Sequence, residues 1–357
     1  MSRKALIVGG TGIVGTSLAE HLLGRGWEVV SLARRPSGGV DGTVPVAADL
    51  FDPGGLRVVL DKIRPSHVFY ATWSRHPTEA ENIRANGTML RNLLDVLRAN
   101  GGVEHFALVT GLKHYLGPFE MYAKGTPPVT PFRESLPRLD VPNFYYTLED
   151  ELFAAAERDG FGWSVHRPHT IIGHAASNVM NMGSTLAVYA SFCRETGRPF
   201  TFPGSAAQWY GLTDMTEARL LARHLEWAAT TPAARNQALN VVDGDVFRWS
   251  WMWGRIAEWF GLEPAPFPGE HSPLAEQMVD AGPAWADIAG RHGLVEPRLD
   301  RIASFWHTDG DLSRPFECLA DMSKSRELGF REYQTSDRAF FDLFARLRRE
   351  RIIPDAA

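Results

Sequence analysis

A doubly wound α/β fold, a parallel sheet with a smaller and mostly helical C-terminal lobe, is the fold class that three features of this sequence predict. Short apolar runs alternate with helix-length amphipathic segments as far as Val109. Glycines at positions 9, 12 and 15 mark the first junction between such a run and a helix. Strands separated by helices of this length need crossover connections, and crossovers enforce parallel pairing.

The elements follow in order. Residues 5–8 form an apolar run bounded by glycines, and Ile13, Leu18, Leu22 and Leu23 give residues 13–25 helical spacing. Residues 29–32 read as the second strand and 44–47 as the third. A helix over 56–63, a strand over 67–71, a helix over 80–99 and a strand over 105–109 continue the alternation. From Tyr122 to Pro142 proline becomes frequent and periodicity fades, so this stretch predicts a loop before a helix that opens near Tyr146. Trp163 to His166 is the next strand, 183–195 and 216–229 are helices, and 240–242 is another strand. About the last hundred residues are mostly helical. Phe247 to Phe260 carries four tryptophans. Because Trp249, Trp253 and Phe260 share a helical face, they predict a packed core and not a base-stacking platform.

With 357 residues, 44% hydrophobic and 22% charged, the chain can bury a sizeable core. A formal net charge of −5 with no long run of lysine and arginine leaves no footprint for nucleic acid. No segment reaches the ~18 unbroken apolar residues of a membrane span, and the N-terminus lacks the pattern of a secretory signal. Cys193 and Cys318 have no metal-ligand or paired spacing, so neither a zinc site nor a disulfide framework is expected and a reducing cytoplasm is.

The segment Gly9-Gly-Thr-Gly-Ile-Val-Gly15 follows the first strand and opens the first helix, the context of a Rossmann-type dinucleotide turn. Gly9 allows the turn, Gly12 lets the backbone approach a pyrophosphate, and Gly15 permits close packing. At the end of the second strand, where an acidic residue would bind the ribose hydroxyls of NAD, Ala33 is followed by Arg34 and Arg35. Guanidinium groups pair with a 2′-phosphate, so the expected cofactor is NADPH. Asp49 is placed to accept from the adenine amino group, with Leu50 beside the ring. Residues 1–170 are read as the nucleotide domain, with further elements near 210–245, and residues 171–357 mainly as an interleaved substrate lobe.

The Tyr-x-x-x-Lys spacing of ordinary short-chain dehydrogenases occurs at none of the eight tyrosines. Lys113, in Thr110-Gly-Leu-Lys-His-Tyr-Leu-Gly-Pro-Phe-Glu120, and Tyr146, in Asn143-Phe-Tyr-Tyr-Thr-Leu-Glu-Asp150, are the candidate replacement. A neighbouring ammonium is expected to lower the phenol's pKa from its ordinary value near 10.

On these segments, together with Ala33-Arg-Arg35, His67-Val-Phe-Tyr-Ala-Thr-Trp73 and Trp163-Ser-Val-His-Arg-Pro168, the chain resembles the progesterone 5β-reductase and iridoid synthase family. These are atypical extended short-chain dehydrogenases that reduce activated carbon–carbon double bonds. The likeness also takes in Met180-Asn181 and Asn240-Val-Val-Asp-Gly-Asp-Val-Phe247, spanning at least residues 5–250. It implies that Lys113 and Tyr146 are catalytic, with Tyr145 a packing residue. It also implies that Thr11, Gly12, Ile13, Val14, Arg34, Arg35, Asp49, Leu50, Thr72, Ile171, Val179, Met180 and Asn181 contact NADPH and that Phe119 lines the substrate pocket. A homodimer paired through two helices of the nucleotide domain is a further expectation of the resemblance. His169 and His174 depart from the family, which more often has smaller or apolar residues there, and Asn178 and Val179 alter the stretch before Met180.

The implied chemistry is hydride addition from NADPH to the β-carbon of an enone or enal, with Tyr146 and Lys113 stabilising the enolate oxygen. Two other readings stay open. One is a carbonyl reductase or sugar-nucleotide-type dehydrogenase on the same fold, and the other a catalytically silent NADPH-binding regulatory protein.

Overall fold

The alternation in the sequence folds as one parallel sheet whose inner strands are buried on both faces. The computed structural model describes residues 3–36, 39–118, 121, 129–175 and 179–355. The strands are β1 (Lys4–Val8), β2 (Glu28–Ala33), β3 (Val44–Ala47), β4 (His67–Tyr70), β5 (His105–Val109), β6 (Gly162–Pro168), β7 (Ile171–Ile172), β8 (Thr216–Glu217) and β9 (Gln237–Val241). Among the described residues seven form one sheet in the order β3-β2-β1-β4-β5-β6-β9, and β7 pairs with β8. Every pairing is parallel. Val8 lies opposite both Leu32 and Tyr70, Tyr70 opposite Leu108, and Val109 opposite His166, so these strands end along a common carboxyl edge. The order turns back between β1 and β4, the switch point at which such sheets open a crevice.

Helices cover both faces. α1 (Ile13–Gly24), α2 (Pro53–Ile63), α3 (Glu79–Ala99), the short α4 (Lys113–Leu116) and α5 (Phe144–Asp159) alternate with the first strands. Further along come α6 (Met182–Thr196), α7 (Ala206–Tyr210), α8 (Ala218–Thr230), α9 (Trp249–Phe260), α10 (Leu274–Gln277), α11 (Ala281–His292), α12 (Phe305–Leu312), α13 (Ser323–Glu327) and α14 (Ser336–Arg349). Strand alternation divides the core between the two faces. Ala5 and Ile7 pack with Leu18 and Leu22 of α1 and Leu221 and Leu225 of α8, while Leu6 and Val8 pack with Leu90 and Leu93 of α3 and Leu148 and Leu152 of α5. α3 starts at a reciprocal capping box between Thr78 and Glu81. The neighbouring Glu79 accepts the Phe144 amide at 2.7 Å and so pins the start of α5.

The tryptophan-rich segment is α9, and it is core. Trp249 and Trp253 are fully buried and Trp251, off that face, is half exposed. Trp253 stacks on Phe200 at 4.1 Å and donates its indole N–H to the Phe200 carbonyl at 3.2 Å. Truncating either buried indole to alanine should cost roughly 3–5 kcal/mol. No described helix is long and apolar enough to cross a membrane.

Candidate active site

A cleft of about 1050 Å³ runs along the carboxyl edge of the sheet. Its floor at one end is the glycine turn. Gly9 has φ +89°, and a Cβ there would lie 2.6 Å from the Ala71 carbonyl oxygen, so both conformation and space require glycine. A Cβ on Gly15 would lie 2.2 Å from the Gly9 oxygen, so Gly15 serves the fit of helix to turn and does not line the cleft. Gly12 is the N-cap of α1, no side chain caps the helix, and no acidic residue occupies its first turn. Uncapped amide groups beside a backbone that a ligand can approach closely form an anion site.

Most sequence-predicted cofactor residues converge here. Gly9, Thr11, Gly12, Ile13, Val14, Arg34, Arg35, Asp49, Leu50, Thr72, Ile171 and Met180 all line the cleft. Arg34 and Arg35 are exposed at the end of β2. Asp49 accepts the Phe51 amide at 2.9 Å, which sets the turn carrying Leu50 and the half-exposed Phe51 along the wall. Val179 and Asn181 do not line the cleft. Asn181 is buried as the N-cap of α6, accepting from Ser184 at 3.2 Å and donating to Gly173 at 2.7 Å. Phe119 and Asn178 lie outside the described residues.

At the far end of the cleft the structure places the two tyrosines differently from the expectation. Lys113, buried at the start of α4, and Tyr145 line the cleft; Tyr146 does not. Successive helical residues point roughly 100° apart, so adjacent tyrosines cannot both face the edge of the sheet. The Tyr145 ring packs 4.5 Å from Phe144, and a Cβ on Gly111, beyond the end of β5, would lie 3.4 Å from its hydroxyl. The Tyr146 hydroxyl turns away, donating to the His114 carbonyl at 2.5 Å and accepting from the Leu139 amide at 3.0 Å. The Lys113 ammonium lies 4.8 Å from the Phe144 ring centre and 5.5 Å from that of Trp73. Burial, reinforced by the Glu79 charge, pushes the Tyr145 hydroxyl well above the usual tyrosine range. Burial raises the Tyr146 hydroxyl as well, opposite in direction to the lowering expected of it beside Lys113.

Behind these two residues α5 grips the lysine-bearing turn. Asn143 donates to the Lys113 carbonyl at 2.7 Å. Glu149, almost fully buried, lies 3.3 Å from the His114 imidazole and 3.0 Å from both Arg138 and Arg167. Burial opposes its charge, but the bonds to His114 and Arg167 prevail and hold its carboxyl down to about 2. Arg167 also donates to the Tyr115 hydroxyl at 3.3 Å. Arg167 is thus part of the frame.

A profile of the PRISE-like Rossmann-fold domain matches residues 57–354. The chain belongs to the PRISE-like Rossmann-fold family. It is 41% identical to an (S)-8-oxocitronellyl enol synthase of Camptotheca acuminata, over 98% of this chain and 93% of that protein. It is 38% identical to a 3-oxo-Δ4,5-steroid 5β-reductase of Arabidopsis thaliana, over 98% and 93%. A solved UDP-glucose 4-epimerase from Thermotoga maritima superposes with a TM-score of 0.69 at 15% identity, over 97% of this chain and 99% of that one, a likeness of fold.

In this PRISE-like chain the sequence reasoning missed several cleft residues. Phe51 and Trp73 lie beside residues it had singled out, and Tyr145 carried a usable signal. Tyr145, Leu148 and Leu152 make an i, i+3, i+7 stripe toward the sheet, whereas Tyr146 and Glu149 share a neighbouring face. Arg301, His307, Asp311 and Arg314 also line the cleft, from a segment of short helices and turns with no periodic or motif signal.

Proposed function

We propose that this PRISE-like oxidoreductase uses NADPH to reduce the conjugated carbon–carbon double bond of an enone or enal. The observation that carries the reading is the convergence of Lys113 and Tyr145 on the cleft that begins at the glycine turn. The relatives' names agree with it, one speaking of an enol product and another of a 5β-reduction beside a 3-oxo group. The uncapped start of α1 and the glycine approach fit a pyrophosphate, and Arg34 and Arg35 fit a 2′-phosphate. Bound there, NADPH supplies the hydride.

The chain's own residues handle the charge. As a hydride reaches the β-carbon, negative charge moves onto the carbonyl oxygen. The Tyr145 hydroxyl donates to that oxygen, and the Lys113 ammonium adds a positive field in a pocket where water screens poorly. A donor aimed at a developing oxyanion contributes about 10²–10³ in rate. The α-carbon then takes its proton from water. Cys193 and Cys318 are both buried free thiols, which supports a reducing cytoplasmic setting. The homodimer belongs to the same proposal and is tested by the mass in solution.

The test is product identification with NADPH and a panel of a cyclic enone, a linear enal, progesterone and a saturated ketone. Saturated carbonyl products from the conjugated substrates support the reading. Allylic alcohols, or turnover of the saturated ketone alone, would make the protein a carbonyl reductase.

A further inference from the structure

Every described residue that the region after α6 contributes to the cleft is charged or an imidazole: Arg301, His307, Asp311 and Arg314. Apolar lining near the reacting end comes instead from Trp73, Leu116, Met180 and Met182. A purely hydrocarbon substrate would return no hydrogen bond to whichever of these polar groups it stripped of water, a substantial penalty.

The four are not equivalent. Asp311 accepts from the Thr170 hydroxyl at 3.0 Å and lies 3.4 Å from the Arg314 guanidinium. Burial opposes its charge, but Arg314, His307 and His169 hold it below the ordinary carboxylate range. Its charge is therefore answered within the wall. Arg314 is buried, lies 2.9 Å from the His169 imidazole and donates to Cys318 at 3.3 Å. Arg301, exposed at the rim, has no ion pair or side-chain hydrogen bond among the described residues. The Nδ1 atom of His307 is buried with no hydrogen-bond partner among them. The wall carries two guanidinium groups against one carboxylate, and its uncommitted groups are a guanidinium and an imidazole.

The wall also adjoins the reacting end. His169 and Thr170 follow Pro168, whose carbonyl oxygen would lie 3.2 Å from a Cβ on Gly111, the residue beside the Tyr145 hydroxyl. The anion site for a cofactor pyrophosphate is at the glycine turn, and the candidate 2′-phosphate partners are Arg34 and Arg35. Neither role calls on Arg301.

We infer that the substrate is an enal or enone that also bears a carboxylate, which pairs with Arg301 and is hydrogen-bonded by His307. Arginine matches a carboxylate in bidentate fashion, and the imidazole supplies a second donor. The inference rests on the proposed double-bond reduction and names the substrate class for it.

The experiment compares a linear enal with an enal of the same length ending in a carboxylate, with NADPH and product identification. The wild type should favour the acid in kcat/KM by about ten- to a hundredfold. Arg301→Met should bring that ratio to about one, and His307→Phe should lower it severalfold, with the KM for NADPH unmoved in both. Equal use of the two enals by the wild type overturns the inference while their saturated products leave the reduction standing. A raised KM for NADPH in Arg301→Met, with the ratio intact, overturns it by making Arg301 a cofactor residue. Allylic alcohols or no turnover from either enal remove the reduction and the inference together.

Discussion

The Tyr146 hydroxyl donates to the His114 carbonyl at 2.5 Å, so the residue after Tyr145 is tied to the residue after Lys113. With the bond from Asn143 to the Lys113 carbonyl at 2.7 Å, the start of α5 holds two consecutive carbonyls of the lysine-bearing turn. Tyr146 thereby positions the pair that faces the cleft without reaching the cleft itself.

Tyr146→Phe removes that bond and keeps the ring. Small misplacement of a reacting pair costs rate, so kcat should fall about tenfold with the KM for NADPH unchanged. Steady-state kinetics check this, and complete inactivation of a folded variant would return the donor role to Tyr146.

Arg34→Ala combined with Arg35→Ala should raise the KM for NADPH by about ten- to a hundredfold and leave that for NADH nearly unmoved. Equal changes for both cofactors would deny the two arginines a part in reading the 2′-phosphate.

Because burial and Glu79 push the Tyr145 hydroxyl upward, its donor form persists through neutral and mildly alkaline pH. The rate of the chemical step should therefore show no loss from this group between about pH 7 and 9. A fall of activity through pH 8 that is absent in Tyr145→Phe would contradict the assignment.

Beneath the sheet a buried histidine network predicts acid sensitivity. His105 and His166 both bond Ser164 at 2.9 Å, and His166 meets His224 at 2.9 Å. Burial lowers His105 and His224 to about 3 and depresses His166 strongly. The unfolded chain takes protons near pH 6.5 that the fold refuses, so stability is full above that pH and falls as pH drops. At pH 5 the loss is about 2 kcal/mol per histidine relative to neutral pH. Glu149, held down to about 2, adds its own loss only below the ordinary glutamate range. Urea midpoints at pH 7.5 and 5 measure the effect, and equal midpoints would contradict it.

The sheet was legible because strands buried on both faces are continuous apolar runs, as Ala5 to Val8 illustrates, and because glycines mark the turn after β1. The glycine turn at one end of the cleft was legible for the same reason, since its conformation and close packing demand glycine. Which of Tyr145 and Tyr146 lines the cleft was not, because both satisfy the chemistry and only the phase of α5 separates them. In the sequence Asn181 reads as a cofactor contact, but an asparagine before a helix is also a cap, and here it caps α6. Arg301 to Arg314 gave no signal because short helices and turns bring those side chains to the cleft from far along the chain.

The most direct test of the account is kcat for Tyr145→Phe on an enal that the wild type reduces, with the fold checked by circular dichroism. The account predicts a fall of about 10²–10³ with little change in the KM for NADPH, the loss of one oxyanion donor. Near-wild-type turnover by Tyr145→Phe, beside an inactive but folded Tyr146→Phe, would contradict it.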